Sequence, residues 1–75
     1  MGNIDRATAE VVRSAIWRAN LTQKAVFEAI HMQPRTWHRK ASGERSFHVS
    51  ELVKIAEQVG RRAGELLDEA VEKAS

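Results

Sequence analysis

Apolar residues recur every three or four positions along most of the chain, and the alternation typical of strands is absent. This spacing puts the apolar side chains on one face of an amphipathic helix. It predicts helices over residues 4–19, 23–30, 34–41, 49–59 and 63–74. The cleanest apolar face, in the last segment, contains Ala63, Leu66, Leu67, Ala70, Val71 and Ala74. The corresponding faces of the first and fourth segments contain Thr8, Val12, Ala15, Ile16 and Ala19, and Val49, Leu52, Val53, Ala56 and Val59.

Residues that start and stop helices occur at the ends of these segments. Thr22 is a good N-cap for the second helix, and Pro34, after Gln33, is favoured at the first position of the third. Gly43 and Gly60 follow the third and fourth helices, and glycine is favoured just after a helix because the chain there is left-handed. The sequence therefore predicts an all-α fold of five helices, with the second and third forming a helix-turn-helix.

The length and composition exclude several classes of protein. With 75 residues, the chain is expected to form one domain over residues 1–75. It has no cysteine for a disulfide framework or a cysteine-based zinc site, and its 43% apolar content is too high for a disordered tail. No apolar run approaches the ~20 residues that span a membrane, and no signal peptide opens the chain. We therefore expect a cytoplasmic protein without membrane contacts.

The third predicted helix is polar apart from one large side chain. Trp37 is surrounded in sequence by Arg35, Thr36, His38, Arg39 and Lys40. A helix that enters a DNA groove needs this composition, because one buried anchor holds it on the domain while polar side chains point outward. We expect Arg35, Thr36 and Arg39 to point outward from its first two turns.

The net charge of +2 conceals an uneven distribution. Residues 1–62 contain 11 basic and 6 acidic residues, whereas residues 63–75 contain one lysine and four acids. A basic body followed by an acidic segment indicates a polyanionic partner for the body alone, although many solvated surfaces have a similar charge distribution.

Several short motifs stand in one register over the middle of the chain. They are Leu21-Thr22-Gln23, Val26, Ser42-Gly43, Leu52-Val53-Lys54-Ile55-Ala56-Glu57, Gly60 and Glu65-Leu66-Leu67. Together they closely resemble the lambda-repressor-like helix-turn-helix domains, which include the Cro and repressor proteins of bacteriophages and related bacterial regulators. The resemblance runs without a gap from about Leu21 to Leu67, and it implies sequence-specific binding to double-stranded DNA.

The resemblance also implies roles for individual residues. Gln23 matches a glutamine that contacts a DNA phosphate, in agreement with the attraction of helix N-termini for phosphate. Ser42 and Arg45 match loop positions that hold the DNA backbone, and Lys40 is also expected to meet phosphate. The residues expected to read base edges are Arg35, Thr36, His38 and Arg39. Arg35 is the leading base reader, because an arginine that donates two hydrogen bonds to guanine is the commonest specific contact.

The sequence also departs from the family pattern. Phe27 and Trp37 replace smaller residues, and we expect the two rings to fill the same part of the core. His31 replaces the usual glycine of the turn and must accept or avoid a left-handed conformation. Pro34 replaces a residue that often reads a base edge, and Lys40 replaces an apolar residue.

No constellation in the sequence indicates catalysis or a cofactor. The three histidines lack the spacing of metal ligands, and no nucleophile–base pair or phosphate-binding glycine loop occurs. Trp17 either packs at the edge of the core or belongs to a partner surface, and Phe47 is expected to pack under its loop. Arg13, Arg18 and Lys24 either reach flanking phosphates or are solvated.

These observations predict a transcriptional regulator, not an enzyme, that binds an operator directly. Its small size, without a separate effector domain, most resembles the Cro-type repressors of phages. No second apolar stripe is available to seal a dimer, so we expect a monomer or a weak homodimer that forms only on DNA. Two alternatives remain. An antitoxin of the same fold would bind a toxin and repress its own promoter, and an interaction module would use the fold for protein contacts alone.

Overall fold

The computed structural model describes residues 3–75. Its elements are α1 (Asn3–Arg18), α2 (Gln23–Ala29), α3 (Pro34–Ala41), α4 (Val49–Val59) and α5 (Ala63–Ala74). The predicted all-α, five-helix fold is confirmed for these residues, among which no strand occurs. Helix α1 begins and ends one residue earlier than predicted, and α2 ends one residue earlier. None of these helices is long and apolar enough to cross a membrane.

The predicted helix ends have the expected local geometry. The hydroxyl of Thr22 accepts a hydrogen bond from the backbone N–H of Ala25 at 3.0 Å, which caps α2. Pro34 occupies the first position of α3. His31 accepts the left-handed conformation with φ +59°, although its side chain has a Cβ. It lies in the turn between α2 and α3, one residue after Ile30, the C-cap of α2.

The core beneath α2, α3 and α4 is organised around Trp37, whose side chain is fully buried. Its ring centroid lies 5.9 Å from that of Phe27 and 5.6 Å from that of Phe47. The predictions that Phe27 and Trp37 share one region, and that Phe47 packs under its loop, are confirmed. Two aromatic neighbours hold the indole in one orientation.

A second cluster joins α1 to α5 and to one residue of α4. Its buried members are Ala7, Val11, Ala15, Ala56, Leu66 and Ala70. Alanines at the crossing let the helix backbones approach closely. The predicted stripes are wrong at Val49, Val53 and Val71, which are exposed, while Ile55 is fully buried. The apolar face of each helix is wider than the area that the neighbouring helices cover. Tertiary packing therefore decides which side of that face is buried and which is exposed.

The loop after α3 is held against α1. Gly43 has φ +86°, and a Cβ at this position would lie 3.0 Å from the Cα of Arg6. Nearby, the Ser46 hydroxyl donates a hydrogen bond to Oδ1 of Asp5 at 2.6 Å. Glycine is therefore needed at position 43 both for its backbone conformation and for the close approach of α1.

Candidate nucleic-acid interface

Helix α3 has one buried face and one polar, outward face. Trp37, Lys40 and Ala41 are buried. Arg35, Thr36 and His38 are exposed, and Arg39 is half-buried. Because successive residues turn by about 100° around a helix, Arg35 and Arg39 lie roughly opposite the buried indole. The structure thus places all four predicted base-reading residues at least partly at the surface of one helix.

Three attachments fix α3 on the rest of the protein. The Trp37 indole enters the core, and Lys40 forms an ion pair with Glu51 of α4. The Arg13 guanidinium donates a hydrogen bond to the backbone carbonyl of Ala41, the last residue of α3. A cation at a helix C-terminus also interacts favourably with the helix dipole. Arg13 therefore braces α3 from α1, a role that its position in the sequence did not reveal.

The position of Lys40 corrects the expectation that it binds phosphate. Its ammonium lies 2.6 Å and 2.8 Å from the two carboxylate oxygens of Glu51, and the residue is only 6% exposed. An ammonium that is already paired and largely shielded from water is a structural group. The sequence showed only a lysine at a usually apolar position. It did not show that Glu51, 11 residues further on, is the partner of this lysine.

The ion pair between Lys40 and Glu51 changes the pKa of the Glu51 carboxyl group. Burial by itself raises that pKa, but the hydrogen bonds from the Lys40 ammonium and the His48 backbone N–H, together with the positive charge of Lys40, outweigh burial and lower it below the ordinary value of 4.5. Glu51 Oε1 accepts the His48 N–H at 2.7 Å. The carboxylate therefore caps the start of α4 and neutralises Lys40 at the same time.

Gln23 connects the start of α2 to α3. It is exposed as a residue, and its Oε1 accepts a hydrogen bond from the Trp37 Nε1–H at 2.9 Å. The first residue of α2 and the middle of α3 are thus in direct contact. The structure brings the predicted phosphate contact next to the predicted recognition helix.

The loop that follows α3 contributes the remaining predicted residues. Arg45 is exposed. Ser42 is also exposed, and its hydroxyl donates to the carbonyl of Arg39 at 3.0 Å. A hollow beside α3 is lined by Asp5, Thr36, Arg39, Lys40, Glu44, Arg45, Ser46 and His48. Arg39 and Arg45 therefore share one surface.

The basic side chains differ in how their charge is neutralised. Arg61 donates to Glu69, and Lys73 lies 4.0 Å from Glu10. By contrast, no carboxylate among residues 3–75 lies within 4.0 Å of the guanidinium groups of Arg35, Arg39 and Arg45. Arginines elsewhere in residues 3–75 also lack such a partner, but these three, which we call the free arginines, are the ones that lie on α3 and the loop after it, where they leave positive charge available.

His38 and Trp17, the two remaining side chains of interest, have different surroundings. The His38 ring meets Phe27 edge to face, with centroids 6.4 Å apart. Trp17 is 81% exposed, so the alternative that it packs at the edge of the core is wrong. A second hollow, lined by Arg13, Ile16, Trp17, Leu21, Thr22 and Gln23, places Trp17 close to Gln23.

No group of three His, Cys, Asp or Glu residues between positions 3 and 75 is placed to hold a metal ion. Comparisons with known proteins add no relative, because no family model, curated protein or solved structure matches the chain.

Proposed function

We propose that this protein binds double-stranded DNA and regulates transcription by occupying an operator. The observation that carries the proposal is the row of free arginines on the face of α3 and its loop that lies away from the core. A rigidly anchored helix with unpaired guanidinium groups fits the major groove, where arginine can bind the edge of guanine through two hydrogen bonds.

The proposal assigns two kinds of contact. Arg35, Thr36, His38 and Arg39 face the base edges, with Arg35 as the main reader. Gln23, Ser42 and Arg45 bind phosphate and fix the register of the domain on the duplex. Lys40 is left out because Glu51 neutralises it.

The resemblance to lambda-repressor-like domains, and above all to the Cro-type repressors of phages, supports this assignment. Such a regulator acts where the DNA of a bacterial host lies, in the cytoplasm. We propose that the free protein is a monomer or a weak homodimer that assembles on two half-sites about one helical turn apart. Sedimentation of the free protein and of its DNA complex measures this, and a tight free dimer would contradict it.

The function is tested by selection from a pool of random DNA duplexes at two salt concentrations. We expect an enriched motif and an affinity that falls steeply with salt, with a slope of about −0.9 for each phosphate contacted. A pool that remains random, together with binding that does not respond to salt, would overturn the proposal.

A further inference from the structure

We infer that Trp37 is a positioning residue that turns the Gln23 carboxamide so that its NH₂ group faces the DNA phosphate. The inference rests on the proposed function and concerns how one contact of that interface is prepared. Its structural basis is the 2.9 Å hydrogen bond from Trp37 Nε1 to Gln23 Oε1.

A glutamine side chain alone does not determine whether its oxygen or its nitrogen points toward a given partner. Its carboxamide contains an oxygen that accepts and a nitrogen that donates, and either end can point outward. Phosphate oxygens only accept, so one of the two orientations is useless for binding DNA. The indole N–H only donates. The atom that faces Trp37 must therefore be the oxygen, and the NH₂ is the group left to face solvent.

The indole is well suited to impose this orientation. It is fully buried, with Phe27 and Phe47 against it, so its N–H has a fixed position. Rotation of the carboxamide by 180° would bring two donors together and leave the indole N–H without an acceptor, which costs free energy in a shielded environment. An aliphatic or phenylalanine side chain at position 37 would have no N–H to donate, so the contact depends on the indole of Trp37.

The proposed hydrogen bond from the Gln23 NH₂ to phosphate is uncharged, so it can be distinguished from a charged contact by the salt dependence of DNA affinity. A neutral donor strengthens binding without releasing an additional counterion, so its loss lowers affinity at every salt concentration and leaves the salt slope unchanged. Loss of a charged contact such as Arg45 lowers both affinity and slope.

The first test is a double-mutant cycle with Trp37→Phe and Gln23→Ala, read as affinity for the selected duplex. We expect each change to weaken binding about two- to tenfold, as for one neutral hydrogen bond, with the slope unaltered. The double variant should bind almost as well as Gln23→Ala alone, because Trp37 acts through Gln23. Losses that multiply, or full affinity in Trp37→Phe, would overturn the inference. If the unaltered protein binds no duplex, the proposed function itself fails.

A second variant avoids any change in the core. Gln23→Glu keeps an oxygen for the indole but replaces the outward NH₂ with a second oxygen. We expect the Trp37 indole proton to remain protected from exchange with water, as in the unaltered protein, while DNA affinity falls at least tenfold. Gln58→Glu is the matched control, since it adds the same charge on the exposed last turn of α4. Rapid exchange of the indole proton in Gln23→Glu, or equal loss of affinity in the control, would contradict the inference.

Discussion

The Lys40 ammonium lies 2.6 Å from Glu51 Oε1, the same oxygen that accepts the His48 N–H at 2.7 Å. One carboxylate thus joins the buried face of α3 to the first turn of α4. The pair is shielded from water, with the Lys40 side chain 8% exposed and that of Glu51 20% exposed. Loss of either partner leaves the other charge in a poorly solvated position.

Lys40→Met is expected to lower the free energy of unfolding by about 1–3 kcal/mol, less than for a fully buried pair because Glu51 keeps some contact with water. Urea denaturation followed by circular dichroism measures this change. Lys54→Met serves as the control, since Lys54 is exposed and makes no ion pair among residues 3–75. Equal stability of the two variants would show that the ion pair contributes nothing.

The pH dependence of stability follows from the same carboxylate. Because the pKa of Glu51 is lower in the folded protein than its ordinary value of 4.5, its contribution is fully present above that value and is lost as the pH falls through the lower one. We expect Glu51→Gln to be less stable near neutral pH and to lose less additional stability on acidification. Glu57→Gln, on the exposed side of α4, should follow the unaltered protein. Thermal unfolding from about pH 6 to about pH 3 tests this sign, and parallel curves for both variants would contradict it.

Gly43 and Gly60 form a matched pair for testing how the loop docks on α1. Both have positive φ, so alanine at either position costs about 1–2 kcal/mol from backbone strain. At Gly43 the added Cβ also meets the Arg6 backbone at 3.0 Å, whereas nothing lies within 4 Å at Gly60. Gly43→Ala should therefore lower the unfolding free energy more than Gly60→Ala. Equal losses in chemical denaturation would mean that α1 moves away without cost.

Arg35→Ala and Arg45→Ala should separate base reading from phosphate binding. We expect Arg35→Ala to relax the selected motif at one or two base pairs, with a loss of about 1–3 kcal/mol in discrimination. Arg45→Ala should weaken all duplexes alike and reduce the salt slope by about 0.9. Lys40→Met should leave that slope unchanged, since its charge is already paired. Selection and salt titration on the three variants measure both effects, and an unchanged motif in Arg35→Ala would refute its assignment.

Much of the fold followed from local chemistry in the sequence. The periodicity located all five helices, and Thr22, Pro34 and Gly43 located the start of α2 and both ends of α3, because capping and backbone preferences act over three or four residues. The outward positions of Arg35 and Thr36 also followed, since one buried tryptophan determines which way a short helix faces. Whether these residues contact DNA remains a prediction.

Only the tertiary structure decided which polar side chains are already ion-paired or hydrogen-bonded within the protein. Lys40 and Arg45 looked alike in the sequence, but one is paired with Glu51 and the other makes no ion pair within residues 3–75. Likewise, Trp37 was predicted as an apolar anchor, and its N–H bond to Gln23 joins residues 14 positions apart. The sequence by itself determined the helices and the faces rich in charge. Packing decided the partners, because ion pairs and side-chain hydrogen bonds depend on distances in space that helical periodicity does not specify.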